Sequence, residues 1–429
     1  MRSRLPLTLA LYRSGVTLLE PAAAGLLAWR WRKGKEDGAR IGERRGFASR
    51  PRPRDRLAWL HGASVGETLS LVPLVERLTQ CGVKVLVTSG TRTSADLLAR
   101  RLPPGSLHQF FPLDVPRYLR RFLDHWRPDL VLFAESEIWP NTVIELGRRG
   151  IPLVMVNGRV SERSYRRWSR LPVTARALLE RYALCIAQSP IDAERLARLG
   201  AAQVAVAGNL KFDAPPPPAD AHALAQLSGL VAGRPVWIAA STHSGEEEAV
   251  AAIHQTLASR LPGLLTIVAP RHPQRGSAVA ETVEDAGLRA VRRSAGGLPG
   301  RETDIYVADT IGELGLFYRL APLVFMGGSL VPHGGQNPIE PAKLGAAILH
   351  GPHVRNFADV YAALDHAGGA LPVTDPDGLA AALADLLIDA GLVRAMAQAA
   401  AETVELLTGA LDRTLRSIEP FIAATPRTH

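Results

Sequence analysis

A chain of 429 residues, 47% hydrophobic and 21% charged, has the composition of a globular protein with two or three domains and room for two good cores. Its formal charge of +9, carried more by arginine than by lysine, suits an acidic partner: a membrane surface, nucleic acid or an anionic substrate. Cys81 and Cys185 lie far apart beside apolar sequence, which excludes a disulfide framework and a cysteine metal site and fits a reducing cytoplasm.

The basic residues crowd the start, from Arg2, Arg4 and Arg13 through Arg30, Arg32, Lys33 and Lys35 to Arg40, Arg44, Arg45, Arg50, Arg52, Arg54 and Arg56. Leu5 to Trp31 is apolar but interrupted by Arg13, Glu20 and two prolines, so it falls short of a clean spanning helix. No small-residue cleavage site follows a compact apolar core. Leu7, Leu11, Tyr12, Val16, Leu18, Leu19, Leu26, Leu27 and Trp29, followed by cations, predict that residues 1–35 lie on an anionic leaflet, with the basic cluster marking the cytoplasmic side. The alternative is an N-terminal helix packed on its own domain.

From Arg56 onward short apolar runs alternate with helical patterns. Strands are expected at Leu57–Leu60, Val83–Thr88, Leu107–Phe111, Leu130–Phe133, Ile151–Val156, Tyr182–Ala187 and Gln203–Val206, with helices between them such as Glu67–Gln80 and Asn141–Arg149. Pro215 to Pro218 form a stiff spacer, and the alternation then restarts. Its strands are expected at Val236–Ala240, Leu264–Ala269, Arg289–Arg292, Asp304–Val307, Leu323–Met326 and Ala347–Leu349, and its last helical pattern runs from about Leu392 to Ile418. The pattern predicts an α/β fold with two doubly wound, Rossmann-like domains facing a central cleft. The expected divisions are 36–213, a proline-rich linker at 214–220, 221–405, and a C-terminal helix and tail at 406–429.

Several strand ends carry polar loops. His61-Gly62-Ala63-Ser64-Val65-Gly66-Glu67 places Glu67 in a first helical turn, where it is either an available base or a helix-start stabiliser. Glu135 and Glu137, two apart on a segment expected to be extended, point to one side and suit sugar hydroxyls or amines; helix-start acidity before Asn141 accounts for them equally well. Asn157-Gly158-Arg159 falls on the same edge, and Lys211 in Gly208–Asp213 could hold an anion or simply be solvated. In the second half, Ser241–Glu246 opens a helix. Arg271, in Ala269–Pro273, offers a bidentate phosphate or carboxylate contact, or a surface ion pair, with Arg275 shortly after. Ile311-Gly312-Glu313-Leu314 opens a further helix.

The stretch from Val324 to Gly345 is the richest. A buried strand breaks into a loop with four glycines, Ser329 and His333, and Asn337-Pro338-Ile339-Glu340 then reads as N-cap, first-turn proline and answering acid. Backbone N–H groups in such a loop form an anion site. No Walker-type phosphate loop, Gly-x-Ser-x-Gly elbow, His-Glu-x-x-His metal motif or dinucleotide glycine fingerprint occurs, and no nucleic-acid module.

Together HGASVGE, ESEIWPN, GNLKFD, STHSGEEE, PRHPQR, IGELG, GGSLVPHGGQNPIEPA and GPHVRNF, from His61 to Phe357, resemble the 3-deoxy-D-manno-octulosonic acid (Kdo) transferases. The resemblance implies an inverting glycosyltransferase of the GT-B type with an N-terminal membrane-associated helix, at the cytoplasmic face of the bacterial inner membrane. The donor implied is CMP-Kdo and the acceptor lipid A precursor (lipid IVA), with no metal, no cofactor and no nucleic-acid partner. It implies Glu67 as base and Glu137 and Lys211 as transition-state stabilisers. For CMP it implies Pro270, Arg271, Ile311, Gly312, Glu313, Asn337, Pro338, Ile339 and Glu340. A nucleotide-sugar epimerase of the same two-domain fold is the alternative, and a non-catalytic nucleotide-sugar binder a third.

Overall fold

The computed structural model describes residues 5–423; Arg2, Arg4 and the tail from 424 onward lie outside the described residues. The chain divides into two compact units, Met1–Ala214 with Thr408–His429, and Pro215–Leu407. Each is built on a seven-stranded parallel sheet.

In the first unit the strands are β1 (Leu57–Gly62), β2 (Lys84–Ser89), β3 (Leu107–Phe110), β4 (Leu130–Ala134), β5 (Leu153–Gly158), β6 (Leu184–Ala187) and β7 (Val204–Val206), in the order β3-β2-β1-β4-β5-β6-β7. Helices cover both faces, so both residues of each strand alternation are apolar. Along β1, Leu57 and Trp59 enter one core with Phe122, Val131 and Phe133, while Ala58 and Leu60 enter the opposite core with Leu71, Leu74, Val87 and Leu132. Indole N–H groups buried in this way need partners: Trp59 donates to Thr88 Oγ1 at 2.8 Å and Trp126 to Gln109 Oε1 at 2.9 Å.

The second unit contains β8 (Val236–Thr242), β9 (Leu265–Pro270), β10 (Ala290–Arg292), β11 (Ile305–Val307), β12 (Leu323–Met326), β13 (Ala347–His350) and β14 (Ala370–Pro372), in the order β10-β11-β9-β8-β12-β13-β14. β14 escaped the sequence reading because Ala-Leu-Pro carries no β signal. It is an edge strand, where a proline without an N–H is tolerated.

The N-terminal apolar run forms two helices, Leu7–Leu18 and Glu20–Arg32. The charges that interrupt it are internal partners of the first unit. Arg13 pairs with Glu145, whose side chain is buried, and Glu20 faces Arg117 at 3.4 Å. Tyr12 donates to Asp114 at 3.2 Å, Thr8 meets Thr174 at 2.6 Å, and Leu9 is buried in the core. Part of the helix pair therefore packs on its own unit, whereas Leu7, Leu11, Leu18, Leu19, Leu26, Trp29 and Trp31 are exposed. A 12-residue helix rises about 18 Å against a hydrocarbon layer of about 30 Å. Among the described residues no helix is long and apolar enough to cross a membrane. The cationic stretch is also partly neutralised, because Arg30 and Arg44 both pair with Glu36 and Arg40 pairs with Glu43.

The C-terminal pattern read as one helix is two, Ala390–Leu406 and Ala410–Ala423. Gly409 breaks it with φ 88°, and Asp213 accepts from the N–H groups of Gly409 and Leu411 at 2.6 and 3.0 Å. The first helix belongs to the second unit. The other returns to the first, where Ile418 is buried and Arg413 donates to Ala207 O at 2.7 Å.

Candidate active site

In both sheets the first strand is the pivot. β1 pairs with β2 on one side and β4 on the other, and β8 with β9 and β12. Chain winding reverses at these strands, and open α/β sheets hold ligands at the carboxyl ends beside such a reversal.

In the first unit this edge is acidic. Ser64 caps helix Val65–Gln80 by accepting from the Glu67 N–H, and Glu67 answers, taking the Ser64 hydroxyl at 2.7 Å and the Ala63 N–H at 2.8 Å. The helix-start reading and the base reading thus describe one half-buried carboxylate. Burial raises its pKa above the ordinary glutamate value. The bonds from Ser64 and Ala63 oppose that rise, and the charges of Glu135 and Glu137 add to it. A carboxylate shifted upward binds a proton more readily, the direction a general base requires.

The segment after β4 is not extended. Glu135 adopts φ 54°, left-handed for a residue with a side chain, and the chain turns. The paired carboxylates therefore have different partners. Glu135 accepts from Lys211 Nζ at 2.9 Å, whereas Glu137 accepts from Trp139 Nε1 at 2.7 Å and stands 3.7 Å from His61 Nε2. Neither caps the next helix. The N–H groups of Asn141 and Thr142 are taken by buried Asp114 at 3.0 and 2.9 Å, which removes the helix-start reading of these acids.

Lys211 is presented by the short turn Leu210–Phe212, held by Asn209, which accepts from the Lys211 N–H, and by Asn157, whose Oδ1 accepts from the Leu210 N–H at 2.9 Å. Asn157, at the end of β5, is also left-handed with φ 54°. Two such residues on adjacent strand ends, each costing on the order of 1 kcal/mol or more, mark where backbone strain is held. His61 completes the group. Its Nδ1 lies 3.1 Å from Thr88 O, its ring stacks on Phe111 at 4.0 Å, and its buried Nε2 has no hydrogen-bond partner among the described residues. Glu67, Glu137 and Lys211 are thus brought to one edge together with Glu135 and His61. The sequence places His61 in the loop after Leu60, whereas β1 runs on through it to Gly62 and buries its ring; the apolar run before it is the signal that the strand continues.

The second unit presents the opposite charge. Here the first-turn acid after the pivot strand is Glu246, 1% exposed, and its carboxylate accepts four backbone N–H groups: His243 at 2.9 Å, Gly328 at 2.7 Å, Ser329 at 3.1 Å and Leu330 at 3.1 Å. The N–H nest expected to bind an external anion is therefore filled by the protein's own carboxylate. Gly327 permits the approach, since a Cβ there would lie 2.6 Å from Ser241 O. Ser241 is itself left-handed, φ 58°. The helix after the glycine loop is also shorter than expected, Ile339–Lys343, with Pro338 at the cap. Asn337 accepts from the Ile339 N–H at 3.1 Å, and its side-chain amide donates to Glu340 at 3.3 Å.

Arg271 is tied to β8 through its N–H, 2.9 Å from Thr242 O, and its exposed guanidinium makes no ion pair among the described residues, which removes the ion-pair reading. Arg275 differs, donating to buried Glu247 at 2.8 Å. Glu313 is held by a bidentate contact from Arg293, 2.7 and 3.1 Å, which keeps its pKa low. Ile311 is exposed, Gly312 has φ 88°, and the helix starts only at Leu314. Pro270 ends β9 beside Thr242 of β8. Among the described residues no group of three or more His, Cys, Asp or Glu side chains is placed to hold a metal ion.

A family model described as 3-deoxy-D-manno-octulosonic-acid transferase (kdotransferase) matches residues 39–214. The 3-deoxy-D-manno-octulosonic acid transferase of Haemophilus influenzae is 34% identical over 395 residues, covering 89% of this chain and 91% of that protein. That of Bordetella pertussis is 35% identical over 412 residues, covering 92% and 95%. Among solved structures, a glycosyltransferase from Rickettsia africae aligns with TM-score 0.60 at 11% identity over 86% of this chain and 99% of that one. The UDP-GlcNAc 2-epimerase of Neisseria meningitidis aligns with TM-score 0.58 at 14% identity over 85% and 99%. At such identities the likeness is one of fold, the two-domain GT-B type, so the epimerase resemblance carries no activity with it. The sequence relatives do: the chain is a glycosyltransferase and belongs to the 3-deoxy-D-manno-octulosonic acid transferase family.

Proposed function

We propose that this chain transfers Kdo from CMP-Kdo to lipid A precursor (lipid IVA) in lipopolysaccharide biosynthesis, with inversion at the sugar. Glu67 takes the proton of the acceptor hydroxyl as that oxygen attacks the anomeric carbon. The bond from that carbon to the phosphate oxygen breaks, and CMP leaves with the electron pair. Lys211 and Glu137 stabilise the charge that develops, and Glu135 fixes the position of the lysine. Pro270, Arg271, Ile311 to Glu313 and Asn337 to Glu340 hold CMP. The observation that carries this reading is the gathering of Glu67, Glu135, Glu137, His61 and Lys211 at the carboxyl edge beside β1, with the Glu67 pKa shifted upward.

The exposed face of Leu7–Leu18 and Glu20–Arg32 supports attachment to the cytoplasmic surface of the inner membrane, where an acidic lipid acceptor resides. The test is a transfer assay with purified full chain, CMP-Kdo and lipid IVA, scored by CMP release and by the mass of the lipid product. Stoichiometric CMP and Kdo-bearing lipid are expected. CMP-Kdo left intact, under conditions where a Haemophilus influenzae relative works, removes the proposal.

A further inference from the structure

Three histidines gather at the carboxyl edge of the second sheet, and none of them figures in the assignments above. His243 follows β8, His272 follows β9, and His333 lies in the glycine loop after β12. The rings of His243 and His333 stack face to face, centroids 4.1 Å apart at 14°, and His272 stands edge-on to His243 at 6.2 Å. Gly328 packs against the inner imidazole, where a Cβ would come within 3.2 Å of its ring, and Gln336 Nε2 lies 3.2 Å from its Nε2. Among the described residues no carboxylate is within ion-pair distance of any of the three rings. The two acids nearest in sequence are occupied, Glu246 by four backbone N–H groups and Glu247 by Arg275 and Thr242. The surplus of positive neighbours shows in His243. Burial, then His333, His272, Arg271 and Arg275, hold its pKa down to about 4.

Because Glu246 takes the N–H groups of Gly328, Ser329 and Leu330, these are closed to an incoming anion, and cationic side chains at this edge can meet it instead. We propose that His243, His272 and His333, together with Arg271, form the seat for the phosphate group of the nucleotide. This rests on the donor reading of the preceding section and adds residues to it. Burial and then the neighbouring cationic side chains hold His243 short of protonation. A phosphate supplies a counter-charge at this edge, and ring N–H groups and the Arg271 guanidinium can donate to its oxygens.

The test uses the purified full chain and CMP, with binding measured by calorimetry. His333 is exposed, so His333→Ala leaves the fold intact, which a melting curve checks. Loss of one charge-assisted hydrogen bond predicts roughly tenfold weaker CMP binding for His333→Ala. His333→Arg, which keeps a cation, should bind within about threefold of the parent chain. Unchanged affinity in His333→Ala and His272→Ala overturns the seat. Equal losses in His333→Ala and His333→Arg overturn it too, because shape and not charge is then responsible. A parent chain that binds no CMP at all is a separate result: it overturns the donor reading itself.

Discussion

The two units use one plan and opposite electrostatics. Each puts an acid in the first turn of the helix after its pivot strand, Glu67 after β1 and Glu246 after β8. Glu67 is held from its own loop only, by Ser64 and Ala63, and stays half-exposed beside two further carboxylates and Lys211. Glu246 is held from a distant loop as well, closed over by Gly328, Ser329 and Leu330, and is lost to solvent. The same residue at the same topological position is thus an accessible carboxylate, the proposed base, in one unit and an enclosed structural carboxylate in the other. What distinguishes them is how many donors converge on the carboxylate, one hydroxyl and one N–H on Glu67 against four N–H groups on Glu246. Two donors leave lone pairs free for a proton, whereas four leave none.

Glutamine substitutions test that contrast, because they keep shape and remove charge. Glu67→Gln should lower transfer by about 10² to 10⁴, the usual contribution of a general base, while CMP binding and melting temperature stay near those of the parent chain. Steady-state rates with calorimetry on the same preparation separate the two. Retained transfer would remove Glu67 as base.

Glu246→Gln should behave the other way. Its amide would present N–H groups to backbone N–H donors already pointing at it, leaving buried donors without an acceptor at a cost on the order of 2–4 kcal/mol. A clearly lowered melting temperature and weaker CMP binding are expected, with the glycine loop loosened. A variant as heat-stable as the parent would show that the loop does not depend on this carboxylate.

The sequence shows the parts of this arrangement that are local. Apolar runs mark the strands from β1 to β13, and Glu67 is visible in a first helical turn. Long-range pairing is invisible. Nothing near Glu246 announces N–H partners 82 to 84 residues later, and nothing near Arg13 announces Glu145. The loop after β12 could therefore be recognised as an anion nest, but not as one already filled. Backbone conformation fails in the same way. Glu135 and Glu137 suggest an extended pair, because nothing in a glutamate announces the left-handed φ of 54° that Glu135 adopts. Within Leu392–Ile418, hydrophobic periodicity continues past Gly409. Only the capture of Gly409 and Leu411 by Asp213 shows where one helix ends and the next begins.

The smallest effect expected is also the most diagnostic of how the acidic edge works. Glu135 raises the Glu67 pKa through its charge and pairs with Lys211 at 2.9 Å. Glu135→Gln removes that charge while its amide oxygen can still accept from Lys211, so the local geometry is kept. As the proposed base, Glu67 would act in its ionised form, so transfer should rise as pH climbs through its pKa. Removing a neighbouring negative charge makes ionisation easier, and the lysine cation, no longer balanced, acts in the same direction. Both effects lower the Glu67 pKa, so the acid limb of the pH–rate profile should move to lower pH in the variant, even where the plateau rate falls with the lost Lys211 pair. A limb that stays in place would mean that Glu135 serves Lys211 alone. A limb that moves upward would mean that the group titrating in the profile is not Glu67.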